Sequence, residues 1–396
     1  MIPHLRSSFN KSFTSEKYAT LRRRLDELGG TRIDFRISET PCFFSKFLLD
    51  DVARCGSELI KQLVENPAYL AASDKAVPKE FNVPRQSSRP LFVAADFGLV
   101  KNAESKLEPK LVEIQGFPSL YAYQVLLAEQ YKEIFGLEKG IDFFLSGLSK
   151  ESYEHSVRRA IVGDQDPENV VLMEIDPFEQ KTLVDFLLTK KMCGIEIVNI
   201  SDIVKEGRSL TYRKNGKSIP IKRIYNRAIV DELVRKGKEL PFRFTDDLDV
   251  EWAGHPNWFF RISKFSIPFL KHASIPQTWF LNELKELPKN LDQYVLKPLY
   301  SFAGMGVIVG PTKGDLELIP AERRSEYILQ ERMNFEPVIE TPHGKTKTEI
   351  RILYIWLEEL LPVISIIRMG RGKMMGVDHN KNMEWVGSSA AFFPTP

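Results

Sequence analysis

The stretch from residue 170 to residue 200 constrains the fold more than any other. Val170–Ile175 reads as an apolar strand, Phe178–Lys190 as a helix and Ile195–Ile200 as a second strand. A strand–helix–strand alternation of this length predicts a parallel pair inside an α/β layer. Asn215-Gly216 follows, flanked by Leu210–Arg213 and Ile219–Arg227, and is a strong signal for a tight hairpin. A helix over Ala228–Lys236 closes this unit, and charged segments around Pro241 set a boundary near residue 240.

The flanking segments follow another rhythm. Leu48, Val52, Cys55, Leu59 and Leu63 recur at helical steps within Phe47–Val64. Leu91–Gly98 and Lys110–Gln115 read as strands separated by the polar stretch Lys101–Pro109, and a helix is expected from Ser119 to about Phe135. Ile262–His272 is apolar, but Pro268 leaves room for only a short helix. Tyr294–Leu299, Val307–Val309, Tyr327–Gln330, Glu349–Leu357 and Val363–Arg368 read as strands of a mixed or antiparallel sheet. The expected class is therefore α/β with α+β character, with the 396 residues divided at about 1–160, 161–240 and 241–396.

Charge and cysteine usage narrow the partners. Fifty-five Lys and Arg against 53 Asp and Glu leave +2, which disfavours a nucleic-acid surface built on bulk charge. The three cysteines, Cys42, Cys55 and Cys193, show no CxxC spacing, which argues against a disulfide scaffold and for a reducing compartment. The N-terminus lacks the apolar core of a signal peptide, and no stretch approaches membrane-spanning length. A cytoplasmic protein without membrane partners is expected.

Two constellations carry possible chemistry. In the first, Lys297 on a strand precedes the small-residue segment Ser301, Phe302, Ala303, Gly304, Met305 and Gly306, and a second strand follows. Small residues let backbone amides approach phosphate oxygens, and a lysine adds charge beside them. A Walker loop would open a helix with GK[ST], and a protein kinase would place its lysine after the glycines. A phosphate-covering loop and a plain tight turn both remain open.

The second is the strand pair around Asp96 and Glu113. Alternation puts Leu111, Glu113 and Gln115 on one face. A hairpin symmetric about a point between Glu104 and Ser105 places Asp96 opposite Glu113. Facing carboxylates repel unless a cation lies between them, and Mg²⁺ is a natural occupant. Solvent-exposed strand ends in a slipped register would need no cation.

Taken in order, these segments resemble the circularly permuted ATP-grasp ligases typified by glutathionylspermidine synthase. Asp96 and Glu113-Ile114-Gln115 are similar to that family's magnesium-binding Asp and Glu-x-Asn, with Gln115 in place of Asn. Lys264 and Lys297 resemble the two ATP-contacting lysines, and Ser301–Gly306 the phosphate-covering loop. Leu329-Gln330-Glu331 resembles the adenine-side hinge, with Met333 placed to pack on the base, and Arg368 the arginine that stabilises transferred phosphate. The family often has an Arg two residues before the metal Asp. Ala94 stands there instead, leaving Arg36, Arg351 or Arg371 to hold an acceptor carboxylate.

The resemblance implies a permuted ATP-grasp unit with a Rossmann-like domain around residues 165–235. It also implies ATP and Mg²⁺ as cofactors, and an ADP-forming ligase joining a carboxylate to an amine. A small-molecule kinase and a degenerate nucleotide-binding protein are the alternatives. The six histidines lack metal-ligand spacing, with His379 in a polar turn, and no G-x-S-x-G elbow supports a serine hydrolase. Arg22-Arg23-Arg24 reads as a solvated helix face, Trp252, Trp258 and Phe259-Phe260 as core, and Glu349-x-Arg351 as either a phosphate-orienting pair or a strand salt bridge.

Overall fold

The computed structural model describes residues 1–395 apart from 138, 238, 301–304, 373, 374, 376–379 and 381. Its centre is an antiparallel sheet in the order Gly387–Ser389, Leu360–Gly370, Gly344–Trp356, Phe92–Lys101, Leu107–Gln115, with Ile339–Thr341 pairing off this path. Two sequence-distant hairpins thus meet edge to edge, at residues 92–115 and 344–370.

Alternation along these strands builds two cores. Val93, Ala95, Phe97, Ile350, Ile352 and Ile367 face one way and join the stripe Leu49, Val52, Leu59, Ile60, Leu63 of the helix Lys46–Val64. That helix begins where the Ser45 side chain accepts from Leu48 N–H, which satisfies one orphan amide of its first turn. Gly56 lets it settle on the sheet, because a Cβ there would run into the Tyr354 hydroxyl. On the opposite face Phe92, Ala94, Leu353, Ile355, Ile364 and Ile366 pack under the helix Tyr121–Phe135. Each fully buried side chain of this size contributes about 1.5–3 kcal/mol, so both faces hold the sheet.

The expected parallel pair is present. Glu251–Ala253, Arg223–Asn226, Val170–Glu174 and Glu196–Asn199 form a four-stranded parallel sheet in that order. The segment expected as one strand, Ile219–Arg227, divides at Lys222. Lys217–Ile221 closes the hairpin over Asn215-Gly216, both at positive φ, while Arg223–Asn226 enters the parallel sheet. The sheet also draws its outer strand from beyond residue 240, because Phe242, Phe244, Leu248 and Val250 share the core of Val171 and Met173. The helix expected from Phe178 begins at Leu183, after a 3₁₀ turn over Pro177–Glu179 that leaves Phe178 exposed.

A third sheet is antiparallel and runs Thr278–Phe280, Tyr327–Glu331, Tyr294–Pro298, Ile308–Val309; the segments expected beside these strands at Glu349–Leu357 and Val363–Arg368 instead join the central sheet. Ile262–His272 holds only a 3₁₀ turn, Lys264–Phe269, with Pro268 inside it. Arg22 leaves the solvated face assigned to it, donating to the carbonyls of Ile33 and Phe35. Among the described residues, no helix is long and apolar enough to cross a membrane.

Candidate functional site

One irregularity sets the geometry. Near its loop the first hairpin pairs Lys101 with Leu107 and Gly98 with Lys110, so the turn is centred on Glu104. A bulge at Val112 then inserts one residue, and Asp96 pairs with Glu113. The expected pairing is present, but through a bulge and not through a symmetric loop. The bulge also corrects the expected face: Leu111 lies in the core with Phe97 and Ile114, while Glu113 turns to the other side with Asp96.

Arg351 stands opposite Asp96 on the next strand, and Arg368 opposite Glu349 on the one after. Arg351 clamps Asp96 with two hydrogen bonds, Nε to Oδ1 and Nη2 to Oδ2, each 2.6 Å. Its Nη2 is also 3.7 Å from Glu113 Oε1. Arg368 Nη2 bridges Asp96 Oδ2 and Glu349 Oε1. Burial alone would raise the Asp96 pKa, but the Arg351 and Arg368 guanidinium groups outweigh it and hold that pKa below the usual carboxylate value. Burial, reinforced by Asp96, pushes Glu349 up to about 7 against the pull of Arg368. The Phe335 ring lies against Gly98, the residue opposite Glu349, where a side chain would displace it.

Two lysines approach from outside this sheet. Lys264 Nζ, on the 3₁₀ turn, is 3.5 Å from Glu113 Oε2. Lys297 Nζ, from the third sheet, donates to Gln330 Oε1 at 2.6 Å and to the carbonyl of the bulge residue Val112 at 3.1 Å. Burial, helped by Lys264 and opposed by Glu113, lowers the Lys297 pKa to about 8. Gln115 Nε2 donates to Glu113 Oε1 at 2.6 Å.

The fold therefore gathers Asp96, Glu113, Gln115, Lys264, Lys297, Gln330 and Arg368. Glu331 and Met333 continue the strand end beside Gln330, Glu331 exposed and Met333 half-buried. Met305 is exposed, and Gly306 takes a positive φ against the Pro298 ring. Ser301, Ala303 and Gly304, like His379, lie outside the described residues. Of the three arginines weighed for the place of Ala94, only Arg351 reaches Asp96. Arg36 pairs with Glu39, and Arg371 bonds to Thr346 and the Glu384 carbonyl.

Arg227 was missed by the sequence reading. It follows the strand Arg223–Asn226 at the carboxyl end of the parallel sheet, between Val170–Glu174 and Glu251–Ala253; the strand order reverses there, because Glu196–Asn199 lies on the far side of Val170–Glu174. Open α/β sheets bind ligands at such a crevice. Its side chain is 4% exposed, lies over Phe117 at 5.2 Å and Phe186 at 5.3 Å, and leaves Nε and Nη1 without a hydrogen-bond partner. The nearby Glu174 is pushed up to about 8 by burial, so it is largely neutral at pH 7. Asp185 is occupied, accepting from the amides of Leu120, Ala122 and Tyr123. Phe117 lies two residues beyond Gln115, so this crevice adjoins the carboxylate cluster. An arginine one step past a parallel strand was the available signal, but its meaning depends on strand order.

Magnesium does not fit the donor set as arranged. Both Asp96 oxygens already accept from guanidinium groups, and Gln115 turns its amide nitrogen toward Glu113. Among the described residues no group of three His, Cys, Asp or Glu is placed to hold a metal ion.

No family model matches the chain, and a search of curated proteins finds no match. A solved structure does resemble it: a glutathione synthetase-like effector from Globodera pallida, in its apo form. The two superpose with a TM-score of 0.62 over 96% of each chain, at 10% sequence identity. At that identity the likeness speaks for architecture alone. The chain has a mixed α/β fold that resembles that of the glutathione synthetase-like effector along nearly its whole length.

Proposed function

We propose that the chain is an ATP-dependent, ADP-forming ligase that activates a carboxylate for attack by an amine. The observation that carries this reading is the convergence of Lys264 and Lys297, from separate elements, on the Glu113 edge of the cluster. Two ammonium groups beside Arg368 and Arg351 supply the positive charge that a triphosphate needs. Arg227, with two free donors in the adjoining crevice, would hold the acceptor carboxylate.

In the proposed reaction an acceptor carboxylate oxygen attacks the γ-phosphorus and the bond to the β-γ bridging oxygen breaks. ADP leaves and an acylphosphate remains. The amine then attacks the acyl carbon, expels phosphate and loses a proton. The phosphoryl transition state is loose and spreads charge over its equatorial oxygens, so catalysis rests on positioned cations. Lys264 and Lys297 would bind the phosphate chain, Arg368 would neutralise the transferred group, and Gln330, Glu331 and Met333 would border the base.

A second reading, nucleotide binding without ligation, is favoured by one observation: Arg368 is already bridged between Asp96 and Glu349. Calorimetry of ATP binding to wild type and Lys297→Ala tests the shared premise, and equal affinities would remove Lys297 from the site. ADP release that depends on both a carboxylate and an amine, across a panel of each, separates the two readings. Release without an amine would indicate a kinase instead.

A further inference from the structure

We infer that Arg351 fills the position of a divalent cation at the Asp96–Glu113 pair, so that the site binds its triphosphate without metal. This rests on the triphosphate reading above and adds what neutralises the acidic pair.

Arg351, Asp96 and Glu113 form one row across three neighbouring strands, each paired in register with the next. Two facing carboxylates in a ladder repel, and a cation between them removes that repulsion. The middle of this row receives one from the protein itself, through a two-pronged contact at 2.6 Å on each Asp96 oxygen. The same guanidinium reaches Glu113 at 3.7 Å, while Lys264 covers the other Glu113 oxygen at 3.5 Å. The third acid, Glu349, is met by Arg368. Four cationic side chains, Arg351, Arg368, Lys264 and Lys297, thus gather with three acidic ones in a largely buried cluster.

A metal ion could take the carboxylates only by expelling Arg351. The displaced guanidinium would lose the Asp96 contacts that offset its burial, which is costly in a low-dielectric setting. Mg²⁺ also dehydrates reluctantly and needs nearly octahedral oxygen donors. The guanidinium is held in place by the strand that carries it, needs no such geometry and leaves the face with positive excess for phosphate.

The test uses the full chain and two titrations. In the first, Mn²⁺ is added without nucleotide and followed by electron paramagnetic resonance. Wild type is expected to show no site that depends on Glu113, whereas Arg351→Gln is expected to gain one. In the second, a non-hydrolysable ATP analogue is titrated in EDTA and in excess MgCl₂, and the two wild-type affinities should agree within about threefold. Wild-type Mn²⁺ binding that Glu113→Gln abolishes would overturn the inference, as would a gain of more than about tenfold from magnesium. If Arg351→Gln does not fold, the wild-type titrations still decide. If the analogue binds in neither medium, the triphosphate reading fails, and the manganese titration alone judges the role of Arg351.

Discussion

Two arginine-bearing sites, one around Asp96 and one around Arg227, are built on opposite principles. Around Asp96 the charges are saturated: both carboxylate oxygens are clamped, and Arg368 joins Asp96 to Glu349. Around Arg227 two guanidinium nitrogens have no partner, and the closest acids are either largely neutral, as Glu174, or engaged by amides, as Asp185. A saturated network holds structure. An unsatisfied buried cation costs stability and is relieved by an anion that arrives from outside.

The largest expected effect breaks the first site. Asp96→Asn leaves Arg351 and Arg368 buried without their main counter-charge and should cost about 3–5 kcal/mol in urea unfolding. A loss near zero would mean that the network is not the support described. Lys297→Ala acts at the ligand side of that site, removing a charged donor worth about 2 kcal/mol, or ~30-fold in ATP affinity by calorimetry.

The second site should respond with the opposite sign. Arg227→Met keeps packing volume over Phe117 and removes a buried cation whose Nε and Nη1 lack hydrogen-bond partners, so the free protein should be unchanged or stabilised by about 1 kcal/mol. Carboxylate-dependent ADP release should nevertheless be lost. A clear fall in melting temperature would show that Arg227 is structural after all. The last effect is a slope. The Glu174 pKa is raised from 4.5 to about 8 on folding, so the native state holds a proton that the unfolded chain releases across that window. Stability should therefore decline as pH rises from 4.5 toward 8, and Glu174→Gln should flatten the decline in unfolding measured across that range.

How much of this could be read beforehand follows the same division. Alternation and turn residues identified the parallel pair, the hairpin over Asn215-Gly216 and the strands that carry Asp96 and Lys297. Asp96 opposite Glu113 was reached by an assumed symmetry that the chain achieves differently, since Val112 carries no glycine or proline to announce a bulge. Arg351 was named only as one of three candidates to hold an acceptor carboxylate; that it clamps Asp96 required the register between residues 92–101 and 344–356. Arg227 was out of reach because its strand is flanked by Val170–Glu174 far upstream and Glu251–Ala253 downstream, and sequence distance says nothing of which strands pair.

The bulge at Val112 has a wider consequence. A strand in uniform step must commit each of its faces for its full length. This one changes step midway, burying Leu111 before the irregularity and Ile114 after it. Half of it serves as wall and half as workbench. The carbonyl turned out of the ladder by that change is taken up by Lys297 from a different sheet, so the two sheets are fastened at the very point where the strand changes its task.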